Sequence, residues 1–378
     1  MRTRGATRAA VLAVVAGMLL GGCQAAMPGS GDVSTADRQR VDRRAELRSA
    51  VDGALGALAA QLALSYRSSY TDTAGKTVEL ALNVTKHGFA QGSFPSSGEQ
   101  IKLLRADGKL YLNAGATYWR GRGTEAAVAE QYAGDWVRAT RSELPFDPAE
   151  TLTPSAVVAT LRAGLAGADQ LAEPVRRVRP DGTEVFEIET RSGLMEVTTA
   201  QPYRLVSVAP ALLGPAVGSS YGPSTSVGMA ALAGDDLKRF QTGAEAALPE
   251  LAQPVRAGAG ARTEVTDTRL DCGTNGVCTH SVQVRNTVVG DAAGALVRLR
   301  LSSLVNAEGI GEQTCTGEAV AAPGATTGLS CEVRFTLPNR TGTAKVVAMP
   351  SLTGAVLDQL DGPALSQKVR AEFAALGG

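Results

Sequence analysis

The chain is poor in the residue types on which most catalytic and metal sites depend. It contains two histidines, His87 and His280, and aromatic residues make up 4% of its 378 residues. General acid–base catalysis and metal binding both rely heavily on histidine, and neither histidine stands at ligand spacing from a suitable partner. We therefore expect no enzyme, no cofactor and no metal. His280 is expected to be a hydrogen-bonded core residue, and His87 an exposed turn residue.

An excess of charge of either sign is also missing. Lys plus Arg and Asp plus Glu both number 37, and no long run of one sign occurs. Nucleic-acid binding requires a basic face, so the composition argues against a nucleic-acid partner.

The most apolar stretch is short and lies near the N-terminus. Arg2, Arg4 and Arg8 precede an apolar run over residues 9–20. Such a run is too short to span a bilayer as a helix and has the composition of a secretory signal. We predict a signal peptide over residues 1–22.

The residues at the end of this signal predict how the exported chain is processed. Leu20-Gly21-Gly22-Cys23 resembles the bacterial lipobox, which implies cleavage before Cys23 and its acylation, for example with palmitate. Two or three acyl chains give stable attachment, and the polar residues 23–41 are typical of a flexible tether. The expected location is the extracytoplasmic face of the cell membrane, with the membrane as partner through the lipid anchor.

Four further cysteines lie in the last third of the chain: Cys272, Cys278, Cys315 and Cys331. An even number in an exported protein favours disulfides, and their spacings differ from those of zinc knuckles. Three pairings are possible. Local closure favours Cys272–Cys278 with Cys315–Cys331, but the sequence alone does not decide among them.

Apolar spacing predicts a helix and then two groups of strands in the first part of the chain. Residues 42–66 carry a stripe typical of a helix with one buried face: Leu47, Val51, Leu55, Leu58 and Leu62. Alternation and turn residues predict strands at Val78–Val84, Ile101–Leu104, Lys109–Asn113, Val175–Arg179, Val185–Thr190, Leu194–Thr198 and Tyr203–Val208. Asp107-Gly108 predicts a two-residue hairpin turn, and Pro154 opens a helix over Ser155–Leu165.

The remaining sequence divides into a connecting segment and a second domain. Residues 211–258 are predicted as a linker with a helix from Asp235 to Ala252. Within them Gly218–Gly222 matches G-x-S-x-G but lacks the strand and helix that a nucleophile elbow requires. Residues 259–354 carry short alternating strands with inward cysteines, typical of an immunoglobulin-like β-sandwich; the best alternation runs from Leu329 to Leu337. A terminal helix is expected within 355–378.

The first domain, residues 42–210, is similar to a known group. The long helix, the run Ile101–Leu112, Tyr118-Trp119, Asp135–Val137 and Gln201–Leu205 resemble the actinobacterial lipoproteins related to the mycobacterial LppX/LprG lipid carriers. That group is similar in fold to LolA-type carriers. The resemblance implies an α+β fold in which a curved antiparallel half-barrel sheet is closed by helices around an apolar cavity.

Together these features predict the binding or carriage of an acylated or otherwise apolar ligand in the first domain. The candidate contacts are the apolar residues expected on the inner faces: Val78, Leu80, Leu82, Val84, Leu55, Leu58, Phe186 and Ile188. The same faces would also fit an ordinary filled core. The alternative function is a non-enzymatic interaction module of the cell envelope without a small-molecule ligand.

Overall fold

The computed structural model describes residues 34–71, 77–96, 98–165, 175–215, 217, 226–290, 293–337 and 342–376. The chain divides between Asp42 and Arg43 into two compact units. The described fold is mixed α+β, with most strands in one large sheet and several helices.

The strands are numbered in chain order: β1 Ala63–Thr71, β2 Thr77–Thr85, β3 Ala90–Ser96, β4 Glu99–Ala106, β5 Lys109–Asn113, β6 Trp136–Ala139, β7 Val175–Val178, β8 Glu184–Thr190, β9 Gly193–Thr198, β10 Leu205–Val208, β11 Val227–Ala231, β12 Val255–Arg256, β13 Gly260–Cys272, β14 Val277–Val289, β15 Ala295–Ala307, β16 Gly311–Ala321, β17 Thr326–Arg334 and β18 Val346–Asp358. The helices are α1 Thr35–Ala59, α2 Ala116–Gly121, α3 Ala126–Tyr132, α4 Pro148–Thr151, α5 Pro154–Leu165, α6 Gly234–Ala247 and α7 Gly362–Leu376, with 3₁₀ turns at Pro210–Leu213 and Leu248–Leu251.

Within the described residues, fifteen strands form one open sheet. Its order is β16-β15-β18-β12-β6-β5-β4-β3-β2-β1-β11-β10-β9-β8-β7, and a second sheet has the order β13-β14-β17. The large sheet therefore takes strands from both predicted domains.

Local sequence signals account for several of these elements. Asp107 and Gly108 have φ of 49° and 72°, as the predicted two-residue turn between β4 and β5 requires. Pro154 is the first residue of α5, where its fixed φ suits a helix start. The strands predicted in the first part of the chain are confirmed as β2, β4, β5, β7, β8, β9 and β10.

The first helix differs from its prediction at both ends. It begins at Thr35, inside the segment predicted as tether, and ends at Ala59 instead of Tyr66. Leu62 continues the apolar spacing, but β1 starts at Ala63 and pairs with β2. Residues 63–66 are a strand whose side chains alternate between the two faces of the sheet: Leu64 and Tyr66 belong to one buried cluster and Ala63 to the other. The predicted helix over these residues is wrong.

One face of the large sheet is covered by α1 and α5. Leu47, Val51 and Leu55 of α1 pack in the same buried cluster as Val157 and Leu161 of α5. Tyr66 on β1 belongs to this cluster, and its hydroxyl donates to the Leu152 carbonyl oxygen at 2.5 Å.

The opposite face of the sheet is covered by α6 and α7. Phe89, Phe240 and Phe373 form a cluster of rings whose centroids lie 5.2–5.7 Å apart. Residues 211–258, predicted as a linker with a helix, thus contain α6 and also β11, which lies between β1 and β10.

The C-terminal strands form a sandwich. The sheet β13-β14-β17 faces the β16-β15-β18 end of the large sheet, and a separate core that includes Val282, Leu299 and Val333 lies between them. The alternation predicted through Leu337 stops earlier: β17 ends at Arg334 and Leu337 is 44% exposed.

A two-residue strand joins the sandwich to the rest of the large sheet. Val255 of β12 pairs with Val137 of β6 on one side and with Leu357 of β18 on the other. Asp358, 3% exposed, accepts from Arg256 Nε at 2.6 Å and from Arg138 Nη1 at 3.2 Å. The junction therefore buries a carboxylate between two arginines, which satisfies its charge.

Candidate functional site

The predicted ligand contacts lie together in the core between α1 and the sheet. Those with described side chains share one cluster and are at most 7% exposed: Leu55, Leu58, Leu80, Leu82, Val84, Phe186 and Ile188. Val78 belongs to β2, but its side chain lies outside the described residues. These residues pack against one another, and their contact with a ligand stays a prediction.

A cleft of about 350 Å³ opens beside this core, where α1 ends over β10 and β11. Its apolar wall is formed by Ala54, Ala57, Leu58, Leu205, Met229 and Ala230. Leu58 is thus both a predicted contact and a cleft residue. The alanines leave the space open because they carry no side chain beyond Cβ.

The segment between β9 and β10 is held firmly against α1. Thr198 N donates to the Arg204 carbonyl oxygen at 3.0 Å, and Arg204 N donates to Thr198 Oγ1 at 2.9 Å. A Cβ added at Gly53 of α1 would lie 2.8 Å from Cδ2 of Tyr203. Glycine at this position leaves room for the Tyr203 ring, and a larger residue would require a shift there.

The mouth of the cleft is polar. Gln61, Thr183, Thr198 and Arg204 line it, and the Arg204 residue is exposed. Among the described residues, no carboxylate forms an ion pair with Arg204. This position for a cation was not predicted, because a single arginine after a turn carries no sequence signal.

Two carboxylates near the mouth are engaged by threonines. Asp181 Oδ1 accepts from Thr183 N at 2.9 Å; the hydrogen bonds from Thr183 lower the pKa of Asp181. Glu184 Oε2 accepts from Thr199 Oγ1 at 3.3 Å. Both are oriented by these bonds.

The histidines lie far apart in the sequence and in different elements. His87 is in the exposed turn after β2. His280 is 1% exposed, with Nδ1 2.7 Å from Ser303 Oγ and Nε2 3.0 Å from Thr268 Oγ1; burial lowers its pKa. The prediction of a hydrogen-bonded core histidine is confirmed.

A buried carboxylate that the sequence did not indicate lies on β9. Glu196, 8% exposed, accepts from Ser207 Oγ at 2.5 Å and is paired with Arg179. Both partners come from neighbouring segments of the same edge of the sheet. These three residues together stabilise that edge of the sheet, because a buried charge needs partners that pair with it.

In the part of the chain that the structure describes, no cluster of His, Cys, Asp and Glu could hold a metal ion.

The disulfides follow the pairing that local closure favours. Cys272 and Cys278 close the β13–β14 hairpin, and Cys315–Cys331 links β16 to β17 and so the two sheets of the sandwich. A Cβ at Gly317 would lie 2.4 Å from the Ser330 carbonyl oxygen, so glycine permits the close approach of these strands beside the second bridge.

A second cleft, of about 690 Å³, lies at the end of the sandwich beside the first disulfide. Cys272, Ile310, Phe335 and Leu337 contribute to its wall. It is separate from the cleft at α1, since the two share no lining residue.

Cys23 and the G-x-S-x-G sequence at Gly218–Gly222 lie outside the described residues. No helix in the described ranges has both the length and the apolar character needed to cross a bilayer. No protein-family model, curated protein or solved structure matches the chain.

Proposed function

We propose that the protein is a lipid-anchored protein of the extracytoplasmic membrane face that binds an apolar ligand in the cleft between α1 and β10–β11. The carrying observation is the cleft itself, whose apolar wall continues the core at Leu58, Leu205 and Met229. Its volume of about 350 Å³ falls within the range of small-molecule sites, about 300–1,000 Å³.

The fold supports this proposal through its similarity to a half-barrel. The order from β6 through β5, β4, β3, β2 and β1 is a meander of antiparallel strands, and α1 covers one face. An antiparallel meander covered by a helix supports the half-barrel that the resemblance to LppX/LprG lipoproteins implies. The volume fits one acyl chain better than a multi-acyl lipid, because it lies at the low end of the range for ligand sites.

The strand order of the sandwich supports its assignment to a known class of domain. Its order of β13-β14-β17 against β16-β15-β18 corresponds to strands A-B-E against C′-C-F of an immunoglobulin-like domain, and we propose that assignment. We also propose a binding role without catalysis, because both ring nitrogens of His280 already lie within hydrogen-bonding distance of core hydroxyls.

Anchoring is tested through Cys23. In a cell that processes lipoproteins, we expect Cys23→Ala to prevent acylation, so that the protein leaves the detergent phase or remains unprocessed. Unchanged detergent partitioning with normal cleavage before residue 23 would contradict the anchor.

Ligand binding is tested by filling the cleft. Ala57 lines it, whereas Ala59 is an exposed residue of the same helix and does not. We expect a chain beginning at Gln24 to bind a fluorescent fatty-acid probe. Ala57→Trp should weaken binding about tenfold or more, and Ala59→Trp should leave it unchanged. Equal binding by both variants, or no uptake by the unsubstituted chain, would contradict the proposed function.

A second candidate function is an interaction module of the cell envelope. The cleft of about 690 Å³ at the end of the sandwich, with Leu337 exposed beside it, favours contact with a partner protein there. Leu337→Asp should abolish that contact without changing probe binding at α1.

A further inference from the structure

The mouth of the cleft at α1 combines an apolar interior with one cation. Leu58, Leu205 and Met229 lie inside, at most 7% exposed, and Arg204 is the only charged residue among the described residues that line the cleft. An apolar ligand without a charged group would leave this guanidinium without a specific role.

Arg204 differs from three arginines on and after β7, the strand at the end of the same sheet. Arg176, Arg177 and Arg179 are paired with Glu46, Glu187 and Glu196. Arg204 has no such pair in the described part of the chain.

The two carboxylates that flank the lining residue Thr183 in the sequence are oriented by other groups. Asp181 accepts from Thr183, and Glu184 from Thr199. The guanidinium can therefore meet an anion that enters the cleft without first leaving an ion pair.

The backbone around Arg204 is fixed before any ligand binds. Two hydrogen bonds with Thr198 hold Arg204, and Tyr203 lies against Gly53 of α1. Preorganisation of this kind reduces the entropy lost on binding. The side chain starts from a defined point at the polar end of an apolar cleft.

We propose that the ligand is a single-chain amphiphile with an anionic head, whose acyl chain enters beneath α1 while the head binds Arg204. This inference rests on the proposed function and specifies its ligand. Carboxylate and phosphate oxygens both accept charge-assisted hydrogen bonds from a guanidinium, so a fatty acid and a lysophosphatidic acid share the required chemistry.

The experiment compares heads at constant chain length. Lauric acid, its methyl ester and dodecyl phosphate are titrated into the chain beginning at Gln24, by displacement of an uncharged fluorescent acyl probe. We expect the acid and the phosphate to bind about tenfold more tightly than the ester, because their charged oxygens accept charge-assisted hydrogen bonds from the guanidinium and the ester oxygens carry no charge. If dodecyl phosphate binds more tightly than lauric acid, the preferred head group is a phosphate. If lauric acid binds more tightly, it is a carboxylate.

Arg204→Gln should remove this preference and leave ester binding unchanged. Arg191→Gln is the matched control: Arg191 is exposed, has no ion pair among the described residues and does not line the cleft. In that variant the preference should persist. Circular dichroism checks the fold of both variants. Raised salt provides a second test: it should weaken the binding of lauric acid more than that of its methyl ester, because salt screens the charge interaction.

The outcomes separate the two levels of the proposal. Equal affinity for acid and ester, or a preference that survives Arg204→Gln, overturns the anionic ligand and leaves the apolar site. If none of the three acyl ligands binds, the proposed function is overturned as well.

Discussion

The helix-covered region and the sandwich share one sheet but are stabilised by different means. The region from α1 to β11 contains both tryptophans and most other aromatic residues, whereas the described sandwich contains one aromatic residue, Phe335, and all four disulfide cysteines. Large aromatic side chains bury much area each. A core of small aliphatic residues gains less, and the disulfides compensate by restricting the unfolded chain.

The difference also explains where space remains. In the helix-covered region, α1 must cover several strands, and it ends before it covers β10 and β11 completely, which leaves the cleft at Ala57 and Arg204. In the sandwich, two sheets face each other strand by strand, and the second cleft lies at their end. The first cleft therefore lies beside the end of a helix and the second at the end of two facing sheets, so the two present different surfaces to ligands or partners.

The largest expected effect is the loss of an aromatic side chain from the helix-covered region. Trp119 is fully buried, with ring centroids of Tyr118 and Tyr132 at 5.1 and 5.6 Å. We expect Trp119→Ala to lower the free energy of unfolding by about 3–5 kcal/mol, measured by urea denaturation. Val347→Ala, at a residue of the sandwich 45% exposed, should change it by no more than about 0.5 kcal/mol. Similar losses of unfolding free energy in the two variants would contradict a special contribution of buried aromatic side chains to the helix-covered region.

The next effect concerns the bridges of the sandwich. Chain-entropy arguments give about 3 kcal/mol for the 16-residue separation of Cys315–Cys331 and about 2 kcal/mol for the 6-residue separation of Cys272–Cys278. Double replacement of each pair by Ala should destabilise in that order. The unfolding transition by far-ultraviolet circular dichroism should move more than that by tryptophan fluorescence, because Trp119 and Trp136 both lie outside the sandwich. Equal movement of the two transitions would mean that both regions unfold as one.

The smallest effect is a pH dependence specific to the sandwich. Burial lowers the pKa of His280 below the ordinary value of 6.5, so the unfolded chain binds this proton more readily than the folded chain. Stability is therefore undiminished above pH 6.5 and decreases as the pH falls below that value. His280→Gln should reduce the slope of unfolding free energy against pH between about 5 and 7, and His87→Gln should preserve it. An unchanged slope in the His280 variant would contradict this assignment.

The elements that sequence predicts well are those with a strong local signal. The strands around Asp107-Gly108, the helix opened by Pro154 and the inward side chain of Cys278 all follow from turn chemistry or strict alternation. The end of α1 did not follow, since Leu62 fits the helical spacing and only the pairing of β1 with β2 reveals the change to a strand.

Local sequence patterns did not predict the features that are formed by residues far apart in the sequence. The strand β12 has two residues and no alternation, yet it joins the sandwich to the large sheet. The cleft arises from alanines on α1 and β11 together with Arg204, and none of these residue types marks a site by itself. The predicted contacts instead identified the neighbouring core, because burial produces the strongest pattern in the sequence.

The most direct test of the account follows two methionine methyl groups by NMR while lauric acid is titrated into the chain beginning at Gln24. Met229 lines the cleft at α1, and Met349 lies on the outer surface of the sandwich, 52% exposed. Binding at the proposed site should shift the Met229 methyl resonance in a saturable manner and leave that of Met349 unchanged. A saturable shift at Met349 alone, or no shift at Met229, would contradict a ligand site beneath α1.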